Sequence, residues 1–441
     1  MCSFLIFNWI INNLEYVNYF LKFRGPDYTN TYIFNNFFFI HNLLNITGEI
    51  TYQPFIDQDN QIIALYNGEI YNYKDFGDYK SDGYCLIDLY KKYNFDFIKK
   101  LDGEFALSLF DFKKNIFCIS TDVFSTKPLW YSIENNKLGI SSYESGLIRA
   151  GLKNNKKLLA NTTKIFNISD LNFLEERRVF QFDFKQYKTN YEDWLEAFIN
   201  SIKKRSNYSK IFICVSSGYD SGSICAILNH LKIEYETYTI LGSENKNIIN
   251  ERLIRNNKKS SILNISNEEK NNIKKYLNKY CENYEYKHIK RNIKDDNASI
   301  GLSYINNIAN KKNLRVCLTG TGADEICSDY GFNGIKKTRS SCFGGKYPSN
   351  LLDIVSNNPN DNVIWKSFYN HALNDFIYKE EIIGGLYGIE CRYPYLDKYV
   401  VQEFLWLTTE LKNKEYKSCI DFLLTKFKYP YEKNIKTGFN I

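Results

Sequence analysis

Chemistry-bearing residues gather in two short stretches of this sequence, one at residues 215–223 and one at the second residue. The first reads Val215-Ser216-Ser217-Gly218-Tyr219-Asp220-Ser221-Gly222-Ser223. It follows an apolar run at 211–215 and leads into a helical pattern at 221–231. Small side chains let backbone N–H groups close on a phosphate, and a helix N-terminus adds partial positive charge there. Asp220, at the mouth of such a loop, can hold a Mg2+ that bridges two phosphates. No Gly-Lys-Ser or Gly-Lys-Thr follows, which excludes the P-loop of kinases and GTPases. At the other end of the chain, Cys2 directly follows Met1. Removal of the methionine would leave an α-amine that titrates at about 8 beside a thiol that titrates at about 8.5. Nucleophile and general base would then sit in one residue.

Cys2 gains weight from its company. That company is Arg24-Gly25-Pro26-Asp27, Tyr66-Asn67-Gly68-Glu69-Ile70-Tyr71-Asn72, Ser81-Asp82 and Leu101-Asp102-Gly103-Glu104-Phe105-Ala106. In order and spacing these segments resemble class II glutamine amidotransferases. The loop at 215–223 resembles the pyrophosphate loop of ATP pyrophosphatases, which cleave ATP to AMP and pyrophosphate. Further agreement lies in Asp122, Lys127-Pro128-Leu129, Thr319-Gly320-Thr321-Gly322-Ala323-Asp324-Glu325 and Glu390-Cys391-Arg392-Tyr393-Pro394-Tyr395-Leu396-Asp397. Taken together, nearly the whole chain resembles the glutamine-hydrolysing asparagine synthetase family.

The resemblance implies a role for each matched position. Cys2 would attack the glutamine side-chain carbonyl, with Asn67 and Gly68 donating to the oxyanion, where losing one donor costs about a hundredfold or more. Glu69 and Asp82 match positions that recognise the glutamine amine. Without the resemblance, Asn67-Gly68 reads as a hairpin turn and Asp82 as a helix N-cap. Ser216, Ser217, Gly218, Asp220 and Ser221 would cradle the phosphates of ATP, with Thr319 and Gly320 on the second loop. Val215 and Ile240 match adenine-side positions and equally suit a core. Asp324 resembles the second Mg2+ carboxylate. Lys436, in Ile435-Lys436-Thr437-Gly438-Phe439, matches a family Lys that neutralises phosphate charge during adenylation; alone it would read as a surface charge.

Two departures bear on specificity. The family's His-x-Arg-Leu-Ser segment, whose Arg clamps the glutamine carboxylate, reads His41-Asn42-Leu43-Leu44-Asn45 here. With Leu43 at that glutamine-binding position, a charge-assisted pair of about 1.5–3 kcal/mol is missing unless Asn42, Asn45 or Arg24 substitutes. The family's Gly-Glu-Gly is Gly320-Thr321-Gly322, which removes a proton acceptor from the acceptor site. The expected reaction is glutamine- and ATP-dependent conversion of aspartate to asparagine through an aspartyl-adenylate. Thr321 leaves open another carboxylate, such as a sugar uronic acid, and Leu43 leaves open an ammonia-dependent reaction with a weak glutaminase. Arg392 and Asp397 read as structural or tunnel-supporting, with ammonia carried along an apolar path.

These residues need two kinds of scaffold. Residues 1–180 hold short β-type segments at 33–40, 62–66, 105–110, 116–120 and 138–142, with one helix at 82–93. That pattern predicts stacked antiparallel sheets, and the resemblance implies an α+β N-terminal-nucleophile domain with those sheets between helices. After a linker at 180–189, helix at 194–204, strand at 211–215, helix at 221–231, and strands at 235–241 and 315–319 alternate. Residues 190–441 therefore predict an α/β domain with a parallel sheet, an ATP-pyrophosphatase asparagine synthetase domain by resemblance, with ligands at the carboxyl ends of its strands.

Composition narrows the classes. A length of 441 residues fits two domains. The net charge of +7 is spread without a basic stripe, and the catalytic Cys pair of a tRNA thiolase is missing, so no nucleic-acid partner is expected. Eleven cysteines without a C-x-x-C pair exclude a zinc or redox motif and suit reduced thiols in a cytoplasmic setting. The apolar start at 4–11 has no basic lead-in, the first Lys being Lys22, and reads as a core strand rather than a signal peptide. No run reaches membrane-spanning length. The expected cofactors are ATP and Mg2+, and the expected partners are small molecules (glutamine, aspartate or another carboxylate), with a homodimer left open.

Overall fold

The computed structural model describes residues 2–46, 49–207, 210–242, 244–256, 259–356 and 364–435. The chain divides into two compact units. The first comprises residues 1–181, 280–283 and 384–390; the second comprises 182–279, 284–383 and 391–441.

The first unit is built on two antiparallel six-stranded sheets. One runs, in spatial order, Lys156–Lys157, Trp130–Glu134, Lys137–Ser141, Ser3–Phe7, Phe37–Leu43 and Tyr28–Phe34. The other runs Phe173–Arg178, Thr162–Asn167, Ile116–Thr121, Gly103–Asp111, Ile62–Ile70 and Phe55–Asp57. Their facing sides make one core. Phe4 and Ile6 from the first sheet and Ile63, Leu65, Phe110 and Phe117 from the second belong to the same buried cluster. Each such side chain contributes about 1.5–3 kcal/mol on leaving water. Every residue of Ser3–Phe7 is buried, so the apolar start of the chain is a central strand.

Three segments depart from the sequence expectation. The single strand expected at 33–40 is a hairpin whose turn is Asn35-Asn36, both at positive φ (46° and 66°). Asn tolerates that left-handed conformation, so no Gly or Pro marks the break. Asn67-Gly68 is not a turn: it lies inside Ile62–Ile70, opposite Ala106 and Phe105. The helix expected at 82–93 is a single 3-10 turn, Asp82–Tyr84, running into the α-helix Cys85–Tyr93.

The second unit holds a five-stranded sheet in the order Ser260–Leu263, Tyr235–Ile240, Ile211–Cys214, Val316–Leu318 and Glu390–Arg392. Ile211–Cys214 is parallel to both of its neighbours. The chain builds outward on one side of that strand and then returns to its other side. A crevice for ligands is expected at such a reversal, at the carboxyl ends of the strands. The Asn/Lys-rich stretch at 243–261 contributes the helix Lys246–Arg255. No helix among the described residues is long and apolar enough to cross a membrane.

Candidate active site

In the first unit, the expected nucleophile Cys2 is held where Ser3–Phe7 begins. The Leu44 N–H donates to the Cys2 Sγ at 3.5 Å, and Arg24 Nε donates to the Cys2 carbonyl at 3.2 Å. Burial pushes the thiol up to about 11, against the Leu44 N–H, which favours the thiolate. Burial likewise raises Asp82, whose carboxylate accepts from Tyr66 Oη, from Ile70 N–H at 2.8 Å and from Gly83 N–H at 3.0 Å. The charges of Asp82, Glu69 and Cys2 all act on the Tyr66 phenol, so these four side chains share one neighbourhood. The N-cap reading of Asp82 is replaced by a buried carboxylate tied to strand Ile62–Ile70.

Asn67 is fully buried, yet among the described residues neither its Oδ1 nor its Nδ2 has a hydrogen-bond partner. A primary amide left dry and unpaired costs about 1–3 kcal/mol, so an incoming polar group at this point recovers that free energy. Gly68 follows at φ +136°, and a Cβ there would stand 1.9 Å from the Glu104 carbonyl oxygen. Gly68→Ala should therefore lower stability by about 3 kcal/mol through strain and overlap together, read as a lower urea midpoint. An unchanged midpoint would mean that the strand relaxes at no cost.

Two of the candidate substitutes for the missing clamp, the Asn42 and Arg24 side chains, already hold other partners. Asn42 Nδ2 donates to Ser3 Oγ at 2.9 Å and to Asn18 Oδ1 at 2.8 Å, while its Oδ1 accepts from Asn18 Nδ2 and Thr29 Oγ1, each at 2.8 Å. Arg24 holds the Cys2 carbonyl and also donates to Tyr143 Oη at 3.0 Å. The Asn45 N–H is bound to Asp27 Oδ2 at 2.8 Å. Leu43 itself is buried, 6% exposed. Asp122, Glu104 and Lys127 support the strands rather than line this neighbourhood. Asp122 accepts from Phe105 N–H at 3.1 Å and from Thr126 Oγ1 at 2.6 Å, and Lys127 lies 3.6 Å from Glu104.

In the second unit, the loop after Ile211–Cys214 and the loop after Val316–Leu318 come together because their strands are neighbours. The Ser216 N–H donates to Ser221 Oγ at 3.0 Å, and the Gly218 N–H to Ser216 Oγ at 3.2 Å. The Ser217 N–H and hydroxyl both bind the Glu244 carboxylate. One N–H and one hydroxyl of the loop therefore already meet a negative charge, as they would meet an anion. Gly218 caps the helix Tyr219–His230, placing Asp220 in its first turn. Gly320 packs so closely that a Cβ would stand 2.8 Å from the Asp220 Cβ. Val215 and Ile240, each 5% exposed, end adjacent strands, and Thr319 N–H pairs with the Arg392 carbonyl at 3.0 Å.

Asp220 and Asp324 converge on one ammonium. Lys417 Nζ lies 2.6 Å from Asp220 Oδ1 and 3.0 Å from Asp324 Oδ1. Burial pulls the Lys417 pKa down, yet the two carboxylates hold it well above its ordinary value. Two carboxylates meeting at one positive charge, beside the Ser216–Ser221 loop, also suit Mg2+, which binds through one or two carboxylates plus substrate phosphates.

Three contributors went unseen in the sequence. Lys417 lies 197 residues from Asp220 in a segment with no recognisable motif. Arg252, 2% exposed, donates to the Ser216 and Gly218 carbonyls and to the Pro430 carbonyl, so it ties the cradle to the C-terminal segment. Glu380 accepts from Thr321 Oγ1 at 2.8 Å. A signal existed only for Glu380, as a carboxylate in the apolar helix Ala372–Leu386. Arg392 and Asp397 hold the fold: Arg205 Nη1 binds Asp397 Oδ2 at 2.7 Å, and Arg392 Nη1 binds the Arg205 carbonyl at 2.8 Å. Lys436, with Thr437, Gly438 and Phe439, lies outside the described residues.

Comparison with known proteins matches both halves. Residues 8–177 match a glutamine amidotransferase domain family, and residues 193–366 match an asparagine synthase family. The chain is 28% identical to "Putative asparagine synthetase (glutamine-hydrolyzing) 1" of Methanocaldococcus jannaschii, over 90% of this chain and 74% of that one. It is 30% identical to glutamine-hydrolyzing asparagine synthetase 2 of Bacillus subtilis over 28% of this chain and 18% of that one. Against the Saccharomyces cerevisiae glutamine-hydrolyzing asparagine synthetase 1 it is 34% identical over 25% of this chain and 21% of the relative.

Proposed function

We propose that this chain, which belongs to the glutamine-hydrolysing asparagine synthetase family, converts aspartate to asparagine by way of an aspartyl-adenylate. Residues 1–180 form the glutaminase domain and residues 190–441 the synthetase domain. The observation that carries the reading is the convergence of Asp220 and Asp324 on one point beside the Ser216–Ser221 cradle. Asp220 and Asp324, so placed, would hold Mg2+, whose charge would offset that of pyrophosphate as it leaves ATP.

In the first half-reaction, removal of Met1 frees the Cys2 amine, which takes the thiol proton. The sulfur attacks the glutamine carboxamide, and Asn67 and Gly68 donate to the oxyanion. The amine passes its proton to the departing nitrogen, and ammonia leaves a γ-glutamyl thioester that water hydrolyses to glutamate and the free thiol. Asp82 and Glu69 hold the glutamine amine. In the second, Ser216, Ser217, Gly218 and Ser221 bind the phosphates, and Val215 and Ile240 flank the adenine. The aspartate carboxylate attacks the α-phosphorus of ATP, pyrophosphate departs, and ammonia displaces AMP from the acyl carbon. Lys436 would add positive charge to the phosphates. The setting proposed is cytoplasmic, since all eleven cysteines are free thiols.

Incubation with ATP, Mg2+, ammonium and a panel of acids tests this directly. Pyrophosphate release should depend on aspartate. Release with a uronic acid and none with aspartate would move the assignment to another carboxylate, the reading that Thr321 favours. Occupied Asn42 and Arg24 side chains favour ammonium as the working donor. Ammonium should therefore support synthesis at concentrations where equimolar glutamine is about 10- to 100-fold slower, matching the missing clamp pair. Equal rates would mean that another group holds the glutamine carboxylate.

A further inference from the structure

The helix Ala372–Leu386 carries Glu380 to the loop after Val316–Leu318, where the carboxylate meets Thr321. Its Oε1 accepts from the Thr321 hydroxyl at 2.8 Å, whereas its Oε2, buried, has no hydrogen-bond partner among the described residues. An unpaired buried carboxylate oxygen costs free energy in a resting protein, so it is more economically explained as waiting for a donor. The loop that carries Thr321 also presses Gly320 against Asp220, placing this carboxylate beside the phosphate cradle.

The geometry points to Glu380, positioned by the Thr321 hydroxyl, as the proton acceptor for the amine that attacks the acyl-adenylate. The proposal rests on the acyl-adenylate reading above. Ammonia donates its lone pair to the acyl carbon, a C–N bond forms, and the C–O bond to AMP breaks with its electron pair leaving on the phosphate. The new amide nitrogen carries one excess proton. Glu380 takes it through Oε2 and returns it to water. The residue at position 321 need not itself be an acid, because the carboxylate arrives from a different element.

The surroundings agree. Burial raises the Glu380 carboxyl to about 7, opposed by the Lys379 charge and by the Thr321 and Thr319 hydroxyls, while Glu325 pushes it up. Glu325 itself, on the short helix Ala323–Cys327, is raised to about 7 by burial and by Asp324. Two thiols also stand beside it: Cys391 Sγ donates to the Glu380 backbone carbonyl at 3.6 Å, and the Glu380 charge reaches Cys317. A base with such a value is matched to neutral pH. The carboxyl is protonated below about 7 and ionised above it, so amide formation should rise with pH through that point.

Two full-length variants, Glu380→Gln and Thr321→Val, test the pair through two readouts. One is acid-dependent exchange of labelled pyrophosphate into ATP; the other is amide formation from ammonium chloride. Exchange should stay within about threefold of the wild type in both, while amide formation falls about a hundredfold or more in Glu380→Gln and about tenfold in Thr321→Val. The rise of amide formation through neutral pH should vanish in Glu380→Gln. Wild-type amide formation by Glu380→Gln, or exchange that falls in step with amide formation in both variants, overturns the proposal. Should Glu380→Gln fail to fold, Thr321→Val with both activities unchanged overturns it equally. A wild type that exchanges pyrophosphate with no acid at all overturns the acyl-adenylate reading first, and this proposal with it.

Discussion

Cys2→Ala should abolish glutamine-dependent amide formation, by about a thousandfold or more, and leave ammonium-dependent formation within about twofold of the wild type. The magnitude follows from the thiol's surroundings. Burial holds it at about 11, so at neutral pH only about one molecule in ten thousand carries the thiolate without help. A base must take the proton, and the reading assigns that task to the amine freed when Met1 is removed. The same logic gives a second arm. A chain that keeps Met1, or carries an uncleaved N-terminal tag, should behave like Cys2→Ala, because its amine no longer belongs to the nucleophile. Glutamine hydrolysis should also weaken as pH falls below the amine's value of about 8. Loss of both nitrogen sources together in Cys2→Ala would mean that this residue supports the fold and that nitrogen release lies elsewhere.

Lys417→Met should be the most damaging single change in the second unit. The side chain is 2% exposed and answers two carboxylates at 2.6 and 3.0 Å. Taking away the cation leaves Asp220 and Asp324 facing each other, partly desolvated, and breaking a buried ion pair costs about 3–5 kcal/mol. Because the two carboxylates are 28% and 22% exposed, the lower end of that range is expected in urea unfolding. The sign with pH is definite. Lys417 is held above its ordinary value, so its contribution is fully present below about 10.4 and is lost only as pH rises through the higher folded value. A neutral-pH measurement therefore sees the whole effect. Adding Asp220→Asn to Lys417→Met should recover part of the loss, since neutralising one carboxylate removes the repulsion between the two. Pyrophosphate exchange should fall about a hundredfold in Lys417→Met, through the displaced carboxylates. Unchanged unfolding and exchange would show that the ion triad has no energetic role.

What could be read along the chain was what chemistry packs into a few consecutive residues. The cradle at 215–221 was legible because a buried strand, small residues and a helix start follow one another directly. Its partner loop at 319–324 was legible for the same reason. Their meeting was not, since it depends on Ile211–Cys214 and Val316–Leu318 being neighbours across about a hundred residues of sequence. Lys417, Arg252 and Glu380 escaped notice because each acts through a long-range contact that no local pattern encodes. Leu43 was visible as a missing charge, but only the structure shows Asn42 and Arg24 committed to other partners. The Asn35-Asn36 turn and the mid-strand Asn67-Gly68 reverse each other's expectation. The same residue types turn the chain where φ is left-handed at both positions. They continue a strand where Gly68 alone adopts positive φ, against the Glu104 carbonyl.

The decisive measurement follows one oxygen atom. Aspartate labelled with heavy oxygen in its side-chain carboxylate is incubated with the enzyme, ATP, Mg2+ and ammonium, and the nucleotide products are weighed by mass spectrometry. Transfer of the acyl group to AMP requires one labelled oxygen to leave on the nucleotide, so AMP should gain a single heavy oxygen for every asparagine made. Unlabelled AMP alongside asparagine, or label recovered in inorganic phosphate with ADP as the nucleotide, would contradict it.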